Sequence, residues 1–306
     1  MAPVTPPSGP LAGVRVLDLT SVVMGPYATQ ILGDLGAEII VVEGAGLETN
    51  RIMGPGPHPE LSGVTLNLMR NKRSLRLDYK TDAGRTALLK VAATCDVVVT
   101  NLRVGALGRA GLTYEDVAAV RPDVVYCEAH GYATGSDRQD DPAYDDVIQA
   151  ASGIADASRI QTGVPALAPT ILADKLCGLS IAYAVAAALY RRSQTGEGDR
   201  IEVPMAETAA AFVLVEHGAA AVPQPPLGPA GYGRILARHR RPQATEDGWI
   251  HVLAYTRAHY EAVFAEAGLL ASVPEELYAT GRARVRNADR LYELVASAMA
   301  TRTTAA

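Results

Sequence analysis

The sequence predicts an α/β protein: a Rossmann-like parallel-sheet domain with a second, smaller α+β domain. Two observations carry this. Between residues 14 and 203, short β-rich runs alternate with helix-sized segments, the pattern of a parallel sheet covered on both faces. Beyond a Pro- and Gly-rich stretch at 222–233, one strand-like run and two helical patterns follow. Right-handed crossovers make the first part Rossmann-like. The expected boundaries are 11–225 for the large domain and 226–306 for a linker and an incomplete small domain.

The elements follow in order. Val14–Leu19 (VRVLDL) is a strand, broken by Gly25 and Pro26. Tyr27–Leu35 reads as a helix stopped by Gly36 in the manner of a C-cap. Glu38–Val42, Ser74–Asp78, Asp96–Thr100 and Asp123–Cys127 are further strands, with helices at Asp82–Ala93 and after Thr113. A long helix over Asp174–Arg192, a TGEG turn, a strand at Arg200–Val203 and a helix at Met205–Glu216 close the large domain. In the small domain Trp249–Ala254 reads as a strand, Thr256 caps a helix to Ala267, and another helix covers about Ala288–Ala300.

The chain has 306 residues, 48% hydrophobic and 20% charged, enough for a sizeable core. Aromatics make up only 5%, so that core is built from small and β-branched side chains. The net charge of −5 argues against nucleic acid as a partner. Cys95, Cys127 and Cys177 are widely spaced and odd in number, which fits reduced thiols in a cytoplasmic protein. The opening MAPVTPPSGP lacks a basic and an apolar region, so a flexible lead is expected there, not a signal peptide. The apolar stretch Leu176–Tyr190 is short for a membrane span and reads as a buried helix, so no membrane partner is expected.

Most familiar chemistries lack their residues. The first strand-to-helix loop, TSVVMGP, has one Gly where a dinucleotide fingerprint needs three, although Glu43 stands about where the ribose-binding acid would. Walker A, GxSxG and HExxH patterns are missing, and the six His are scattered, so no metal is expected. What remains is carboxylates and basic clusters. Asp174 opens an apolar helix; its plain reading is a helix N-cap. Its functional reading is a dehydrated anion held by the helix terminus and fit to attack a thioester. Arg70, Lys72, Arg73 and Arg76, and separately Arg103 with Arg109, read either as solvated faces or as phosphate-binding groups beside strand ends. Gly228, Gly231 and Gly233 read as a linker, and Cys177 as a small core residue.

Several segments together resemble one family. LAGVRVLDLTSVVMGPYATQILGDLGAEIIVVE, NLMRNKRSLRLDYKTDAGR, DVVVTNLRVGALGRAGL, PAYDDVIQAASG, LADKLCGL, RRSQTGEGDRIEVPMAET and RRPQATEDGWIHV are similar, in order, to the family III coenzyme A transferases. That family includes formyl-CoA transferase, carnitine CoA-transferase and the α-methylacyl-CoA racemases. The resemblance covers nearly the whole chain from Leu11. It implies an interlocked homodimer, with Asp174 as the nucleophile that forms an aspartyl mixed anhydride and then an aspartyl-CoA thioester. It also implies acyl-CoA and a carboxylic acid acceptor as substrates, with no tightly bound cofactor. CoA contacts are implied at Arg70, Asn71, Lys72, Asn101, Leu102, Arg109, Tyr144 and Asp145.

Three departures stand out. Racemase members carry a His where this chain has Tyr144, and a phenol is a poor base at neutral pH. Formyl-CoA transferase carries a Gln where this chain has Val23, so formyl or oxalyl specificity is not expected. The chain stops soon after TRTT, where relatives continue, which keeps open a truncated or CoA-binding subunit without turnover.

Overall fold

The computed structural model describes residues 8–44 and 46–305; most of the expected Pro-rich lead lies outside them. Along the chain run β1 (Arg15–Leu19), α1 (Met24–Asp34), β2 (Glu38–Glu43), α2 (Gly63–Leu68), β3 (Lys72–Arg76), α3 (Asp82–Ala92), β4 (Val97–Thr100), α4 (Val104–Ala110) and α5 (Tyr114–Ala118). Then come β5 (Val125–Glu128), α6 (Asp145–Ala151), α7 (Ile154–Thr162), α8 (Leu172–Thr195), β6 (Asp199–Glu202) and α9 (Met205–His217). Among the described residues β1–β6 form one sheet in the order β3-β2-β1-β4-β5-β6, every pair parallel. The expected α/β class and Rossmann-like sheet are present, and the order reverses between β1 and β4, where such sheets place their ligands.

Alternation along the strands supplies two cores. Val16, Val97, Val99, Val125 and Cys127 face α1 and α8, while Leu17, Leu19, Val98, Val124 and Tyr126 pack with Leu88 of α3 on the other side. β4 and β5 are buried along their whole length, as central parallel strands must be. Helix starts follow side-chain chemistry. Thr81 accepts from Gly84 N–H, and Thr113 forms a reciprocal capping box with Asp116.

α8 has 24 residues and begins at Leu172, two residues earlier than the sequence suggested. By length and composition it is apolar enough to cross a membrane, yet half of its apolar window is buried inside the protein. Its Gly178 sets how closely it meets α1: a Cβ there would lie 2.8 Å from Met24 O. No larger residue fits without moving backbone.

The described chain divides into two compact units. One runs to Ser152 and adds Ala168–Phe212; the other joins Gly153–Leu167 to the chain from Val213 onward. In the second unit, Gln161 of α7 donates to Arg240 O at 3.0 Å, tying that short excursion to the later chain. The rest is β7 (Gln243–Ala244), β8 (Trp249–Ile250), α10 (Arg257–Glu266), α11 (Gly281–Arg286) and α12 (Ala288–Met299), around Tyr260, Phe264, Tyr278, Leu291 and Val295. Thr256 caps α10 by accepting from His259 N–H. The strand expected over Trp249–Ala254 is cut to two residues, because the Gln243 side chain takes Val252 N–H at 3.0 Å and ends the ladder.

Candidate active site

At the reversal between β1 and β4 the two strand ends are clamped together. Asn101, just beyond β4, accepts from Ser21 N–H at 3.1 Å and donates to Ser21 O at 3.0 Å. The next residue, Val22, has φ of 68°, a conformation that a β-branched residue adopts only under constraint. Behind this loop Lys72 and Asp18 form an ion pair at 3.1 Å with no exposed side-chain surface. Asp18 also accepts from both Thr20 N–H and Thr29 Oγ1, while Lys72 donates to Pro26 O at 2.8 Å. That network fixes the end of β1 against the first turn of α1.

A cavity of about 210 Å3 opens at this edge, lined among others by Ser21, Val22, Asn101, Arg103, Tyr144 and Asp174. Asp174 is the third residue of α8 and only 8% exposed. It is therefore not the N-cap of the plain sequence reading. Its backbone N–H donates to Asp145 Oδ1 at 3.0 Å, so the cap comes from a carboxylate on α6. Gln149 holds the other Asp145 oxygen at 2.5 Å. The Asp174 carboxylate itself accepts no hydrogen bond from any described residue. Burial, and then the charge of Asp145, push it up from 3.8 to about 6. It is still mostly ionised at neutral pH, poorly hydrated and unpaired. Beneath it, burial and then the Asp174 charge push the Cys177 thiol up to about 12, so that buried thiol stays protonated.

The other residues singled out in the sequence fall in three places. Asn101 and Tyr144 line the cavity with Asp174, and Asp145 joins them through its hydrogen bond. Arg70 and Asn71 instead converge on Asp34, at 2.5 and 2.7 Å. Lys72 has no surface to offer a phosphate, because its ammonium is enclosed against Asp18. Burial lowers its pKa, and Asp18 only partly offsets this. Leu102 packs into the core on the α3 side, and Arg109 sits exposed on α4, outside the cavity lining.

Sequence reasoning missed His130. It lines the same cavity, is almost wholly buried, and sits 3.3 Å from Glu128 Oε2 through Nε2. Its Nδ1 has no partner among the described residues. Burial alone would raise the Glu128 carboxyl, but His130 and Arg200 hold it below its ordinary range. Nothing in the sequence pattern flags His130, since Glu128 lies two residues away on a strand and Arg200 comes from β6. Among the described residues no group of three His, Cys, Asp or Glu could hold a metal.

Comparison with known proteins adds to this geometry. The model of CoA-transferase family III matches residues 11–306. Succinyl-CoA:glutarate CoA-transferase of Mus musculus is 32% identical over 298 residues, covering 97% of this chain and 68% of that protein. A probable fatty acyl-CoA transferase of Mycobacterium tuberculosis, Rv3272, is 31% identical over 315 residues, covering 98% and 79%. Its crystal structure superimposes with a TM-score of 0.82 at 30% identity, over 98% of this chain and 80% of that one. A CAIB/BAIF family protein from Brucella suis gives 0.79 at 26% identity, over 96% and 79%.

Proposed function

The chain belongs to CoA-transferase family III, and from that premise we propose that it moves CoA from an acyl-CoA to a carboxylic acid through Asp174. One observation carries the assignment: a carboxylate 8% exposed, without hydrogen-bond partner among the described residues, at the wall of a cavity beside the strand-order reversal. Such an oxygen has little hydration to lose on attack.

The Asp174 carboxylate adds to the thioester carbonyl, the C–S bond breaks, and CoA leaves as thiolate from a mixed anhydride. The thiolate then attacks the aspartyl carbonyl, releasing the first acid and leaving an aspartyl-CoA thioester. The acceptor carboxylate attacks that thioester in turn, and returning thiolate gives the new acyl-CoA and free Asp174. Asn101 holds the Ser21 loop that forms one wall, and Asp145 holds the start of α8. The CoA contacts inferred for Arg70, Asn71, Arg109 and Tyr144 belong to this reading, with Lys72 acting by positioning the loop. So does the homodimer. The cavity's size supports a short acyl group.

The test is exchange of labelled CoA between an acyl-CoA and free acids, with hydroxylamine to trap the aspartyl thioester. Wild type exchanges label, and hydroxylamine converts Asp174 to a hydroxamate. Exchange that persists in Asp174→Ala refutes the assignment. CoA binding without exchange across a broad acid panel favours a subunit without turnover.

His130 in the same cavity supports one second reading, proton removal beside the thioester, because imidazole with carboxylate is the pair such chemistry needs. Deuterium entering the acyl α-carbon from heavy water, without CoA exchange, would favour it.

A further inference from the structure

The second unit has a recess of its own, of about 380 Å3, all of whose lining lies in that unit. Tyr232, Tyr255, Tyr260 and Tyr292 line it, together with Arg234 and Arg284. No carboxylate lines it, and neither arginine forms an ion pair among the described residues. Arg257, on the neighbouring helix, by contrast pairs with Glu261 at 2.6 Å and Glu275 at 2.8 Å. The Arg234 guanidinium stacks 4.5 Å above the Tyr255 ring. Stacking fixes the plane of the group and presents its N–H edge to a planar acceptor. Arg284 is partly committed, donating to Tyr278 O at 2.7 Å.

A third observation points the same way. The Tyr292 hydroxyl is buried, in a residue only 2% exposed, and among the described residues its contact with Arg234 falls short of good hydrogen-bond geometry. Burial would lower that arginine's pKa, and Tyr292, Tyr255 and Tyr232, together with the side-chain contact from Tyr292, more than offset it. Buried hydroxyls are nearly always satisfied in native proteins, so this half-made contact beside a guanidinium without an ion pair leaves a place for an acceptor that both groups can share.

We infer that this recess is a binding site for a small carboxylic acid with a flat aromatic body. The Arg234 guanidinium edge takes the carboxylate in bidentate fashion, and the Tyr292 hydroxyl donates to it. The tyrosine rings take the aromatic part edge-on or stacked. Neither guanidinium is in an ion pair among the described residues, but both already have neutral partners, which suits a single carboxylate better than a phosphate dianion, and the volume is that of a small-molecule site. The recess shares no lining residue with the Asp174 cavity.

Calorimetric titration of the whole chain tests it, with phenylacetate, benzyl alcohol and inorganic phosphate as probes. Phenylacetate binds, benzyl alcohol and phosphate do not, and Asp174→Ala leaves the binding unchanged. Arg234→Gln weakens phenylacetate at least about tenfold, and Tyr292→Phe about threefold to tenfold, with circular dichroism confirming that each variant is folded. Should Arg234→Gln fail to fold, Tyr292→Phe decides alone. The inference is overturned by no phenylacetate binding, by equal binding of benzyl alcohol, by displacement with phosphate, by loss of binding in Asp174→Ala, or by unchanged affinity in a folded Arg234→Gln or Tyr292→Phe.

Discussion

The two ends of the central sheet treat charge in opposite ways. Where the strands begin, Arg192 from the last turn of α8 meets Asp96 at 2.9 Å and also pairs with Asp123, while Asp96 accepts from Arg15 N–H at 2.9 Å. Arg121 reaches the same two aspartates. Where the strands end, the same helix α8 presents the Asp174 carboxylate with no partner among the described residues, beside a valine at positive φ and an imidazole nitrogen likewise without one. One helix thus contributes a satisfied end and an unsatisfied end. The satisfied end holds the fold together. The other carries stored cost, which is what a reactive group looks like before its substrate arrives.

The sharpest way to break that contrast is Asp174→Asn. Transfer activity falls by on the order of 10^4-fold or more, as removal of a nucleophile does. Stability moves the other way. Because the folded pKa lies above the unfolded value of 3.8, this group favours the folded state fully below about pH 4, and that contribution is lost as pH rises through about 6. The Asn variant is therefore more stable than wild type at pH 8, by at most roughly 3 kcal/mol, and little different at pH 4. Thermal melts at both values check it. Wild-type transfer likewise declines as pH drops through about 6, seen in a pH–rate profile.

Next in size is Lys72→Met, which leaves Asp18 charged and enclosed without its counter-ion. Breaking such a pair costs about 3–5 kcal/mol. Urea titration measures it, and a loss below about 1 kcal/mol would remove Lys72 from its positioning role.

At the other end of the sheet Arg192→Met costs about 1–3 kcal/mol, since the cluster is only partly buried. Activity per folded molecule stays unchanged; a drop in that quantity would mean that the two ends are coupled. Smallest is Val22→Gly, which relieves positive φ and raises stability by up to about 1 kcal/mol while loosening the cavity wall. A higher KM at unchanged stability would show that the valine is unstrained.

The elements of the large unit were legible because period and punctuation agree along it. VRVLDL, EIIVV and DVVVT are runs that only a doubly covered strand buries, and Thr81 and Thr113 announce the helices they cap. Short helices such as α6 were not legible: Tyr144 precedes it without capping it, and it is held by Gln149, which accepts from Ala168 N–H, and by Asp145, which accepts from Asp174 N–H in the first turn of α8. The boundary between the units escaped the same reading, because residues 153–167 join chain beyond residue 213.

By itself the sequence determined the sheet, the family resemblance and the identity of Asp174 as the acid to watch, since local pattern and motif order are properties of the string. Only tertiary structure decided that Lys72 is enclosed against Asp18, that His130 shares the cavity, and that Asp174 stands unpaired with its pKa near 6. Burial and hydrogen-bond partnership depend on residues far apart in the chain, and solvation free energy is set by that three-dimensional company.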